Sequence, residues 1–207
     1  MLNPALAYMV LVTEFASKID GLWAFEVAIR AQIEGVAKTD WFDPSLSHLE
    51  NKTRKKQLGG FLFFSRDLLR EFEILGMAKT LEDVLVEATG LGLPSFDIWA
   101  GDDLNLPYHH EMRCVRSLAN VIKHSASRIV AGGGPACQFL IERAGFKPDT
   151  EIAYIGFDLE KALYQTYVFL DALSGHLTGV SVEPPLSDLE ADFERFKTGV
   201  VSWFLKG

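Results

Sequence analysis

The apolar residues of this chain fall three and four positions apart, segment after segment. Leu22, Phe25, Ile29, Ile33 and Val36 follow that spacing, and Phe61, Phe64, Leu68, Phe72 and Leu75 repeat it. Residues so placed share one side of a 3.6-residue turn, so each segment predicts a helix with a stripe to bury. Near the C-terminus Leu186, Leu189, Phe193, Phe196, Val200 and Phe204 do the same, with Asp188, Glu190, Asp192 and Lys197 off the stripe. A further long helix is expected over residues 158–174, through Leu159, Leu163, Tyr167 and Leu170. Helix starts are marked as well. Asn3-Pro4 is a cap followed by proline at the first helical position. Ser47-His-Leu-Glu50, Thr80-Leu-Glu-Asp83 and Ser187-Asp-Leu-Glu190 read as capping boxes or close variants. No segment alternates apolar and polar residues long enough to make a strand, "RIVAG" and "IAYIGF" being the weak candidates. The expectation is an all-α protein, an irregular bundle of six to eight helices forming a single domain over residues 1–207.

At 207 residues, with 48% hydrophobic content and 15 phenylalanines, the chain can bury a core and is not disordered by composition. A net charge of −8 argues against a surface built to coat nucleic acid, although a local basic groove is compatible with it. Cys114 and Cys137 are too few for a disulfide framework, and no CxxC pair marks a zinc site. Reduced, buried thiols in a cytoplasmic protein are expected. The opening "MLNPALAYMVLVTEFASK" lacks a basic n-region, and its apolar run over residues 5–12 stops at Thr13-Glu14, well short of a bilayer span. It reads as a core helix, and no membrane attachment is expected.

"RCVRSLANVIKH", residues 113–124, carries the most chemistry. Projected at about 100° per residue, His109, Arg113, Arg116, Asn120 and His124 fall within one narrow arc, flanked by Ser117 and Lys123. Cys114, Val115, Leu118, Ala119, Val121 and Ile122 occupy the opposite arc. At about 1.5 Å per residue, His109 and His124 lie some 22 Å apart and cannot share one metal ion within a chain. Asn120 and His124 are one turn apart, with Arg116 a turn earlier. That grouping suits metal-free phosphodiester chemistry. A histidine can take the 2′-hydroxyl proton or supply one to the leaving oxygen, while a guanidinium holds the phosphate and the asparagine orients either.

"LANVIKHS" resembles the motif of HEPN domains, compact helical bundles of prokaryotic toxin–antitoxin and phage-defence systems. Their signature is an arginine, a polar residue, a short spacer and a histidine on one helix, commonly paired across a homodimer as a metal-independent ribonuclease. The resemblance covers residues 105–174. It implies RNA as substrate, a homodimer, no metal and no cofactor. His124, Arg116 and Asn120 would be catalytic, and Arg113, Lys123 and His109 would contact RNA or phosphate. Asn120 and His124 match the motif, but Ala119 stands where the family arginine belongs, and Arg116 could replace it only from one turn away.

Other readings compete. The stripe can be a solvated helix face, with Lys123 and His124 favoured near the helix C-terminus by its dipole. It can also be a non-catalytic surface of an immunity or antitoxin-like protein, whose acidity would complement a basic partner. A small-ligand bundle is a third reading, resting on the loop aromatics Trp41, Phe42, Phe96, Trp99 and Tyr108. "AGGGPACQF" lacks the lysine of a phosphate loop and reads as a helix connection. The basic run "NKTRKKQ" reads as a solvated face or a nucleic-acid contact. In "YHHEMR" adjacent helical residues diverge too far to chelate one ion easily. The C-terminal stripe ending in Trp203 and Phe204 can pack on its own core or on a second subunit.

Overall fold

The computed structural model describes residues 4–99, 104–179, 191 and 194. Helix α1 (Pro4–Tyr8), a π-helical turn (Met9–Thr13) and helix α2 (Glu14–Ala37) run on as one rod. Helix α3 (His48–Gly90) returns beside it, followed by α4 (His109–His124), α5 (Pro135–Glu142) and α6 (Leu159–Thr178). Strands β1 (Arg128–Ile129) and β2 (Thr150–Glu151) pair antiparallel, Arg128 opposite Glu151, and a 3-10 turn (Ile152–Tyr154) follows. The protein is all-α. The described residues form five helical rods, fewer than the six to eight expected. Of the helix expected over residues 186–204, Ala191 and Glu194 are described, both helical, and the rest lies outside the described residues.

Part of that difference has a local cause. Ser47 does cap α3: its hydroxyl accepts from the Glu50 backbone amide, and the Glu50 carboxylate accepts from the Ser47 amide. Thr80-Leu-Glu-Asp83 has the same lettering and starts nothing, because α3 continues through it. Ile74, Met77, Ala78, Leu81, Val84, Leu85 and Ala88 form one buried stripe across that point, and the burial outweighs the capping signal. Asp158 caps α6 by accepting from the Lys161 amide. "RIVAG" contributes β1, whereas "IAYIGF" begins as the 3-10 turn. In "AGGGP", Gly134 is the N-cap of α5 and Pro135 its first residue. A Cβ on Gly133 would meet the Val130 carbonyl and Cys137, each at 2.9 Å, which accounts for glycine there.

The core lies where the π-helical turn and the first half of α2, the second half of α3, α4, α5 and α6 meet. Leu11, Phe15, Ile19, Ile74, Met77, Leu81, Met112, Leu140, Ile152 and Phe169 are fully enclosed there. At Gly76 an added Cβ would lie 2.7 Å from Leu22 Cδ1, so α2 and α3 approach closely at that level. Further out, the packing thins. No residue of α3 between Asn51 and Leu69 is buried, and none of α2 beyond Glu26. These distal halves form an arm of two paired helices. Asn51 fastens its tip: its side-chain amide donates to the Asp43 and Leu46 carbonyls and its oxygen accepts from the Asp43 amide.

At the arm's root Glu26 and Glu73 are buried together, with Arg30 ion-paired to both. Burial, then the Glu26 charge, pushes Glu73 up to about 7, against the opposing pull of Arg30 and Arg70. No helix among the described residues is long and apolar enough to cross a membrane.

Candidate functional site

Helix α4 is two-faced, as its sequence requires. Met112, Val115, Leu118, Ala119 and Val121 are buried in the core, and the arginines, Asn120, Lys123 and His124 are half-buried or exposed. Ser117, placed on the flank of the polar stripe, is instead fully buried. The helix begins after Tyr108 in the left-handed region (φ 58°), which turns the preceding loop back over its first turn.

That loop divides the stripe. His109 is buried, with Nε2 2.9 Å from the Ile98 carbonyl. Its ring stacks on Phe169 at 5.9 Å, with Phe96 edge-on at 5.8 Å. It is a core histidine, and the expectation that it contacts phosphate is corrected. Phe96 is likewise a lid over the core rather than the wall of a ligand site.

Arg116 is half-buried and engaged from two sides. Its Nε donates to Glu82 Oε1 of α3 at 3.0 Å, and its Nη1 to Asp97 Oδ1 at 3.2 Å. Asp97 Oδ1 also accepts from the Trp99 backbone amide at 2.9 Å, which holds the loop's main chain at that point. The Arg116 guanidinium carbon lies 5.1 Å from the Trp99 ring centroid. Trp99 meets Phe139 of α5 edge-on at 6.1 Å, and the Arg113 guanidinium lies 4.5 Å over the same Phe139 ring. His110 packs on that ring too, at 5.5 Å. The result is a ladder, Arg116–Trp99–Phe139–Arg113, across the α4–α5 surface.

Comparison of the chain with family models, curated proteins and solved structures gives no match. The site therefore rests on its own geometry.

Arg113 and Arg116 are brought together through the two aromatic rings. Asn120 is half-buried one turn further on, and Lys123 and His124 are exposed at the far end of the helix. His124 lies eight residues beyond Arg116, about 12 Å along the axis. Sequence reasoning missed Glu82, Asp97 and Phe139, because each meets α4 from a different element. The one available signal was that Trp99 stands two residues after Asp97, a spacing at which an aspartate side chain often folds back on the backbone. Cys114 offers no nucleophile: burial, then the Glu111 charge, pushes its thiol up to about 11 against the opposing Arg113, so it stays protonated. Both cysteines are free thiols.

Proposed function

We propose that this chain is a non-catalytic interaction protein, of the immunity or antitoxin-like kind, that receives a protein partner on its α4–α5 face. One observation carries the reading: the Arg116 guanidinium is already engaged by Glu82 and Asp97 and stacked on Trp99. A catalytic arginine must give its donors to the phosphate as charge develops there. Arg116 already commits Nε and Nη1 to two carboxylates, and their negative charges repel an incoming phosphodiester. The same features suit protein recognition. Tryptophan and arginine held in place by neighbours lose little freedom on binding and commonly dominate interface energies. The net charge of −8 favours a basic partner by complementarity and speeds the encounter.

The ribonuclease reading implied by the HEPN resemblance keeps one supporting observation, the exposure of Lys123 and His124 beside half-buried Asn120. One experiment separates the two. Incubation of RNA with the protein in chelator should give no cleavage that His124→Ala removes, while chemical crosslinking in native cells should trap a stoichiometric protein partner that Trp99→Ala releases and His124→Ala retains. Cleavage by the natural protein that His124→Ala abolishes would overturn the proposal.

A further inference from the structure

The arm presents a second surface, remote from α4 and independent of its function. Phe61, Phe64, Leu68 and Phe72 of α3 lie on one line, at steps of three, four and four residues. Phe25 of α2 joins it, its ring 4.3 Å from that of Phe72. All five are between 38% and 69% exposed. Projected at about 100° per residue, Gln57 and Ser65 fall on the same arc, so from Gln57 to Phe72 it carries no charge over about 22 Å. Phe63 projects to the opposite side, where the Arg66 guanidinium lies over its ring at 5.1 Å.

We propose that this stripe is where two copies of the chain pair, arm against arm, about a two-fold axis. The area fits. At about 200 Å² for a phenylalanine and somewhat less for a leucine, the exposed parts of these five residues amount to roughly 500 Å². A standard interface buries about 800 Å² per partner, and the side chains flanking the stripe supply the difference. A patch this size is at the upper end of what a monomer leaves in water. The composition also fits: a two-fold contact places the same surface on itself, and an uncharged arc meets its copy without like-charge repulsion. Charge fixes the direction. Lys52, Arg54, Lys55 and Lys56 cluster at one end of the stripe, and of the four Arg54 is ion-paired, to Asp43. An antiparallel crossing centred near Phe64 keeps the two basic ends apart, whereas a parallel one would bring them together. The pairing runs through α3, and α4 with its aromatic ladder stays open on each copy.

Sedimentation equilibrium of the full chain tests this. The natural protein should show twice its chain mass of 23.0 kDa. Phe64→Glu should weaken self-association more than tenfold while leaving helical content and melting of the separated chain unchanged, since Phe64 is already mostly in water. Phe63→Glu, on the opposite side, should stay dimeric. A monomeric natural protein at concentrations of tens of micromolar overturns the proposal, as does a dimer indifferent to Phe64→Glu. If the monomer instead protects residues 186–204 from protease and Phe64→Glu exposes them, the stripe belongs to the chain's own C-terminal segment and the pairing is refuted.

Discussion

Helix α3 passes through two environments. From Leu69 to its end it lies against α2, α4 and α6, and Ile74, Met77, Leu81 and Val84 are enclosed. Between Asn51 and Leu69 it has α2 beside it and no buried residue, and Phe61, Phe64 and Leu68 face water. The apolar spacing is the same in both halves. The difference lies in the number of helices within reach: two rods can cover one side of each other, and a third and fourth are needed to enclose a stripe. One half of α3 is therefore finished by its own chain, and the other is a surface with apolar area to spare.

The largest test of that contrast is to cut equivalent side chains from each half of the molecule. Phe169 is fully buried and packs on Phe96 and His109. Phe169→Ala should cost about 3–5 kcal/mol in urea unfolding, the transfer term plus the cavity. Phe64→Ala should cost the separated chain less than about 0.5 kcal/mol. Similar losses at both positions would mean that the arm is as enclosed as the core.

The root of the arm, where the two environments meet, gives the next effect. Glu73 is held up at about 7 from an ordinary 4.5, so the folded chain binds a proton more tightly than the unfolded one. The sign follows: this contribution is fully present below about pH 4.5 and is lost as pH rises through 7. Asp171, pushed up to about 6 by burial, acts in the same sense over a lower range. Glu73→Gln should remove the Glu73 part, on the order of 1–3 kcal/mol between those limits. The measurement is the difference in unfolding free energy between natural and variant protein across pH 4.5–7.5. A difference that does not change with pH would show that Glu73 is charged in the fold throughout.

What could be read from the letters depended on how far each determinant reached. The Ser47 box closes within four residues and stands where the sequence puts it, and α6 starts where its range was expected to, with Asp158 as a cap that the sequence reading did not name. The two faces of α4 were equally legible, because periodicity within sixteen residues sets them. Thr80 shows the limit: a correct local signal is overruled when the stripe through it is buried on both sides. His109 shows a second. It shares an arc with Arg113 and Arg116, yet the loop carrying Phe96 and Ile98 folds over the first turn of α4 and takes it into the core. One side of a helix is not one environment. The partners of Arg116 were illegible for the same reason, since Glu82 and Asp97 are 34 and 19 residues away.

The smallest effect is the most informative about the site. Arg116 and Glu82 are each partly shielded, and their coupling in a double-mutant cycle with Arg116→Ala and Glu82→Ala should be about 0.5–1 kcal/mol. Asp97 is mostly in water, so its coupling to Arg116 should be weaker. Raising salt from 0.05 to about 0.5 M should reduce both, the exposed pair first, because the screening length shortens to a few ångströms. A measurable Glu82 coupling means the guanidinium spends its time on carboxylates, and the α4–α5 face acts as a rigid aromatic–cation surface. A coupling of zero would free Arg116 to turn along the helix toward Asn120 and His124. The contrast between a settled core end and an unsatisfied arm would then have to include α4 on the unsatisfied side.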